Sequence, residues 1–164
     1  MEVYRIAKKK YLNDLSGFGA KLYGGRWNRE GLQMLYTSAH LSLAVIEILA
    51  NQYRKQIDHR FGYIKIQIPE KSILDLSDVG ALSENWRASQ YTQNTIDIGS
   101  DWLLSQKSLA LRVPSAVLAQ ESNILINPFH KAFAKLSVVA IAEVNLDGRV
   151  TSNVSPSAKP KPKE

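Results

Sequence analysis

The chain of 164 residues contains no cysteine. That excludes disulfide frameworks, thiol nucleophiles and thiolate metal sites together, and leaves oxygen and nitrogen groups to carry any chemistry. Histidine is nearly as scarce: His40, His59 and His130 show no helical pair spacing, so no metal site is expected. Long hydrophobic runs are missing as well. The longest, residues 41–50, is interrupted by Ser42 and Glu47, and the opening Met1-Glu2-Val3-Tyr4-Arg5 lacks the apolar core of an export signal. The expectation is a soluble, cytoplasmic protein without a membrane segment.

What is present is ordinary globular composition, with 45% hydrophobic and 22% charged residues, enough chain for one domain with its own core. Lys and Arg number 21 against 15 Asp and Glu, giving a net charge of +6, which raises acidic partners such as nucleic acid, phosphorylated small molecules or an acidic protein. Residues 151–164 hold three prolines and four Ser or Thr, with three lysines against one glutamate, so the body keeps +4 of the +6. A segment so poor in apolar side chains cannot offset its ordering entropy and reads as a disordered tail behind a single domain over residues 1–150.

Within that domain, β-rich runs predict strands at 3–7, 33–38, 63–68, 109–113, 124–126 and 138–145. Ile64, Ile66 and Ile68 alternate with Lys65 and Gln67, the period of a sheet with one buried face. Helices are predicted at 39–56, 83–93, 97–106 and 128–136, with Ser38, Ser83 and Asn127 as N-caps. Strands and helices do not alternate strictly, so the fold class expected is α+β, with a mixed or antiparallel central sheet flanked by helices.

Several residues stand out chemically. In Gly24-Gly25-Arg26-Trp27-Asn28, glycines permit close backbone approach while Arg26 offers a planar fork for phosphate or carboxylate and Trp27 a stacking face. The alternative is a glycine-rich hairpin with surface side chains. Glu47 lies in a helix that is apolar on nearly every side, flanked one turn away by Leu43, Ala44, Ala50 and Asn51. Burying a carboxylate unpaired costs several kcal/mol, so Glu47 either meets a cation such as Arg26 or faces a cleft. Tyr36 sits in the strand feeding this helix. Ser115 follows Pro114 at a strand edge, without the Gly-x-Ser-x-Gly elbow of an activated nucleophile.

Taken together, Gly24-Gly25-Arg26-Trp27-Asn28, Leu35-Tyr36-Thr37-Ser38, Leu43-Ala44-Val45-Ile46-Glu47, Val113-Pro114-Ser115-Ala116-Val117 and Asn127-Pro128-Phe129-His130 resemble the RES domain family in order and spacing, over residues 4–149. The family's eponymous Arg, Glu and Ser fall on Arg26, Glu47 and Ser115. The match departs at Lys131, where a proline is common, and in the lysine-proline tail. The resemblance implies an ADP-ribosyltransferase-like fold and a toxin of a bacterial toxin–antitoxin module that consumes NAD⁺ as substrate, with no cofactor. It assigns catalysis to Glu47, Arg26 and Tyr36, and substrate binding to Arg26, Trp27, Asn28, Tyr36 and Ser115. Cleavage of the nicotinamide–ribose bond, by hydrolysis or phosphorolysis, is the leading expectation, with mono-ADP-ribosylation of a cellular protein second. A non-catalytic basic interaction module is a distant third, since no nucleic-acid motif is recognisable. The partners implied are NAD⁺, a cognate Xre-type antitoxin that would carry the DNA contact, and a further copy of the chain within that complex.

Overall fold

The computed structural model describes residues 1–51 and 60–152. The last residues of the helix predicted over 39–56, His59, and the tail from residue 153 onward lie outside the described residues. One seven-stranded sheet organises what is described. Its strands are β1 (Glu2–Lys8), β2 (Leu35–Ser38), β3 (Phe61–Gln67), β4 (Ile73–Asp75), β5 (Ala110–Pro114), β6 (Ser122–Ile126) and β7 (Ser137–Glu143), in the order β4-β5-β6-β2-β1-β3-β7. All neighbours run antiparallel except β4 and β5. That parallel pair needs a crossover, and α3 (Gln93–Ser105) lies in it. The helices α1 (Phe18–Tyr23), α2 (Leu41–Asn51) and α4 (Gly148–Ser152) complete the mixed α+β fold that the pattern predicts. No described helix is long and apolar enough to cross a membrane.

The alternation along the strands separates two faces. On one, Val3, Leu35, Ile64, Ile66, Ile124 and Ile126 form a core almost without solvent contact, closed by Leu12, Phe133 and Leu136. Each such aliphatic side chain contributes about 1.5–3 kcal/mol when fully buried. The opposite face is covered in two pieces. Trp102 and Leu103 of α3 pack with Leu111, Val113 and Leu125 of β5 and β6, while Ala44 of α2 packs with Ile6 and Phe61 of β1 and β3. Between the two helices the middle of the sheet, β2 with its neighbours, is left to line a cavity.

Four local expectations are corrected. Residues 83–93 do not form a helix: Trp86 and Ala88 close short turns back to Ser83 and Asn85. Their carbonyls bond Arg26 instead of a following amide. Ser83 caps nothing; its N–H donates to Asn94 Oδ1, and the helix starts at Gln93. Ser38 ends β2, three residues ahead of α2. Over 128–136 the backbone makes turns and only a single 3₁₀ turn, Phe133–Lys135, although Asn127 does accept the Phe129 N–H at 3.0 Å. The sequence also hides α1, β4 and α4, the last carrying helix through residues 151 and 152, which the composition assigns to the tail. The helix α1 occupies a glycine-rich stretch, bracketed by Gly17 and Gly24 at φ 72° and 63°, and β4 has three residues.

The tightest packing is between α3 and the backbone ahead of β2. A Cβ on Gly99 would lie 2.1 Å from the Trp27 carbonyl oxygen, and Ser100 Oγ accepts the Arg29 N–H at 3.0 Å. Substitution Gly99→Ala is therefore expected to destabilise the fold by about 3 kcal/mol, the upper end for overpacking a core, measured as a lower midpoint in urea denaturation. An unchanged midpoint would mean that this contact relaxes freely.

Candidate active site

The cavity measures about 450 Å³, within the range of small-molecule sites. Its lining includes Tyr4 of β1, the turn 24–27, Tyr36 and Ser38 of β2, Glu47 of α2, Tyr91 and Asn123 of β6. These come from distant parts of the chain: Tyr4, Tyr36, Ser38 and Asn123 are placed by the sheet itself, and Tyr91 by its contact with Arg26.

Glu47 is half-buried on the cavity side of α2. Its Oε1 accepts two hydrogen bonds of 2.6 Å, from Ser115 Oγ and from Asn123 Nδ2. Both are bonds to a charged acceptor, the stronger kind. Ser115 itself is fully buried and absent from the cavity lining. Its hydroxyl oxygen also accepts the N–H groups of Val117 and Leu118, at 3.1 and 3.0 Å, closing the turn after β5. The expectation that Ser115 orients a ligand directly is therefore revised: its oxygen is saturated by two amides and its proton is given to Glu47.

Arg26 stands at the tip of a tight turn in which Gly25 and Asn28 exchange backbone bonds. Its guanidinium donates to the carbonyl oxygens of Trp86 and, at 2.9 Å, Ala88. It stacks over Tyr91, 5.0 Å from the ring centroid, an attractive placement for a cation on an aromatic face. Burial pulls the Arg26 pKa below its ordinary value, and the opposing pull of Tyr91, Glu47 and Tyr36 offsets part of that. Arginine still carries its charge throughout the physiological range. Two of its five N–H groups are engaged by these carbonyls, so donors remain for an anionic group. Arg5 also lines the cavity, but its guanidinium donates to the Tyr11 and Leu12 carbonyls and so belongs to the scaffold.

Tyr36, Asn28 and Trp27 form the support beneath that turn. The Tyr36 hydroxyl donates to Asn28 Oδ1 at 2.7 Å and accepts the Trp27 N–H at 3.1 Å. Burial pushes the phenol well above the usual tyrosine range, so it remains protonated. Its proton is thus committed within the protein, and what it can offer a ligand is chiefly the ring. Asn28 is 1% exposed and donates to the Ala20 and Leu32 carbonyls. It fastens α1 and the turn; the expected ligand contact is replaced by a structural one. The Trp27 indole is buried against α3 and Trp86, ring centroids 6.5 Å apart, so its face serves the core.

Three cavity residues escape a reading of the sequence. Tyr91 carries no local signal, because only the fold brings it beneath Arg26. Ser38 reads as a helix cap, yet its hydroxyl donates to Asn123 Oδ1 at 2.7 Å. Asn123 does leave a trace: an amide opening the run Ile124-Leu125-Ile126 is a poor strand former, and such an interruption has to be accounted for by its bonds.

Set beside known proteins, the chain matches the RES domain over residues 2–149. It belongs to the RES domain family. Among relatives, the "Toxin Res" of Photorhabdus laumondii is 37% identical over 152 residues, spanning 92% of this chain and 97% of the relative. The "Toxin Res" of Yersinia enterocolitica is 38% identical over 134 residues, 81% of this chain and 88% of the relative. A "Prs ADP-ribosylating toxin" of Sphingobium sp. is 33% identical across 72% of this chain and 74% of its own. In fold, the chain superimposes on the crystal structure of the M. tuberculosis MbcT–MbcA toxin–antitoxin complex with a TM-score of 0.70 at 16% identity, covering 93% of this chain and 87% of that one. Arg26 and Glu47 line one cavity here, and Ser115 lies immediately behind Glu47.

The double service of Ser115 separates two roles by experiment. A simple ligand contact could be removed without cost to folding. Ser115→Ala strands the Val117 and Leu118 N–H groups and removes one donor to Glu47, so a stability loss of about 1–3 kcal/mol is expected, read from chemical denaturation of the ligand-free protein.

Proposed function

We propose that this chain is the toxin of a bacterial toxin–antitoxin module and that it acts by splitting the nicotinamide–ribose bond of NAD⁺. The observation that carries the reading is the carboxylate of Glu47, fixed by Ser115 and Asn123 in a cavity that also holds Arg26 on an aromatic face. The names of the relatives support the toxin class.

NAD⁺ carries an anionic pyrophosphate and a cationic nicotinamide. As the C–N bond breaks, its electron pair returns to nicotinamide, which leaves neutral, and positive charge develops on the ribose. A fixed carboxylate beside that sugar is worth most at this moment, because its attraction grows as the charge forms. The same logic places carboxylates beside the sugar in glycosidases. Arg26 supplies hydrogen-bond donors for the pyrophosphate or a ribose edge, and the rings of Tyr36 and Tyr91 offer apolar faces for the bases. An acceptor oxygen then bonds to the sugar carbon; water gives up a proton as it does so, whereas the attacking oxygen of phosphate is already anionic and loses none. None of these steps calls for a metal.

A second acceptor has a specific observation in its favour: the 33% identical Sphingobium relative is named for ADP-ribosylation of Prs. With a protein side chain as acceptor, the first step and its residues are unchanged. Isotope on the ADP-ribose part of NAD⁺ separates the readings, since it ends on protein in one case and in small molecules in the other. The protein partner proposed is an Xre-type antitoxin that would obstruct the cavity.

Glu47→Gln keeps the shape of the side chain and removes its charge. Loss of one transition-state electrostatic contact predicts a fall in nicotinamide release of about 100-fold or more, with growth arrest abolished and the circular dichroism spectrum retained. Chromatography of NAD⁺ incubated with antitoxin-free protein provides the measurement; intact NAD⁺ under wild-type protein would end the proposal.

A further inference from the structure

Resting on the proposed role of Glu47, we infer that Asn123 and Ser38 form a one-way hydrogen-bond relay that positions this carboxylate, making Asn123 a positioning residue of the reaction. The direction of the relay follows from charge. A carboxylate can only accept, so the Asn123 amide must turn its NH₂ toward Glu47, at 2.6 Å. Its Oδ1 then faces away and needs a donor, which Ser38 Oγ supplies at 2.7 Å. Reversing either group would set two acceptors or two donors against each other.

The sheet explains why these side chains meet. Ser38 and Asn123 are register partners across β2 and β6, and Asn123 is also paired with Val113 of β5. The backbone of both strands is thus held on the rigid side of the site, and Ser38 is only 4% exposed. Ser115 reaches the same Glu47 oxygen from the end of β5. Glu47 sits on a helix facing that sheet, so two strands fix one oxygen of a carboxylate whose own backbone belongs to another element. Arrangements of this kind place a reacting group on rigid supports, and a misplacement of about 1 Å is enough to cost on the order of 100-fold in rate.

The informative variant is Asn123→Asp. When protonated, the introduced carboxyl group can donate its O–H to Glu47 and still accept from Ser38, reproducing the relay. Once that shared proton leaves, two carboxylates face each other without a donor between them, and like charges so close resist joint ionisation. Activity of Asn123→Asp is therefore expected to be highest where the pair holds its shared proton and to fall through a new alkaline limb as pH rises. Asn123→Ala should lower kcat about 10- to 100-fold at every pH, with KM for NAD⁺ within about threefold of wild type. Ser38→Ala should show a smaller fall of the same kind. A pH profile of Asn123→Asp parallel to wild type, or an undiminished kcat in Asn123→Ala, would overturn the relay.

Failure of the functional proposal would look different, since wild-type protein would itself release no nicotinamide. The relay is then read without substrate, from the side-chain N–H resonances of Asn123 in the NMR spectrum. Loss of the acceptor in Glu47→Ala must move those N–H resonances upfield of their wild-type positions, because the bond to a charged acceptor is gone. Superimposable amide resonances in the two proteins would sink the relay regardless of the reaction.

Discussion

A carboxylate on a helix as apolar as α2 has to be held by polar groups from other elements, and the bonds that do so at Glu47 organise much of the fold around it. Ser115 can donate only if β5 ends where it does and the following turn closes on its oxygen through Val117 and Leu118. Asn123 can donate only if β6 lies between β5 and β2 in its observed register. Sheet order is thereby tied to one oxygen atom. The stabilisation of each bond is modest, since folding exchanges it for water; what the two bonds do together is fix where the carboxylate stands.

The cation of the site is held differently. Arg26 is fastened by backbone carbonyls of residues 86 and 88 and by the ring of Tyr91, all from a segment that forms no helix. That segment is in turn tied to the opposite wall, where Arg87 Nε donates to the Ala116 carbonyl at 3.1 Å, one residue beyond Ser115. One strap thus links the support of the cation to the support of the anion. A ligand that draws the guanidinium toward itself must compete with these carbonyls, so the geometry of the strap and occupancy of the cavity are coupled.

Legibility in the sequence follows the origin of each feature. The strands with regular alternation, such as Ile64, Ile66 and Ile68, are readable because local periodicity and tertiary burial agree there. The helix expected at 83–93 fails for a tertiary reason: its composition suits a helix, yet the Arg26 guanidinium claims two of its carbonyls. At the site, Glu47 is legible as a charge in an apolar helix, and Arg26 as an arginine among glycines. Which side chains face the cavity and which stand behind it is not. Nothing in the string Val113-Pro114-Ser115 tells that the hydroxyl is buried, and nothing near Tyr36 tells that its proton belongs to Asn28. Those distinctions depend on partners 8 to 68 residues away.

The same partnering changes the meaning of the net charge. A pI near 9.5 would suggest a nucleic-acid surface if the cations lay together and unopposed. Over the described residues many are instead met by acids: Lys9 by Glu143, Arg29 by Asp97 and Asp101, Lys65 by Glu2, Arg112 by Asp75 and Arg149 by Asp147. Exposed pairs of this kind add little stability, but they flatten the long-range field that would draw a polyanion. Arg26 differs because its hydrogen-bond partners are neutral carbonyls and its ring contact is aromatic, while the carboxylate of Glu47 acts on it from the same cavity. A cation with free donors in a concave, partly desolvated site is suited to a small anion that can enter the cavity, and much less to the broad phosphate lattice of a duplex.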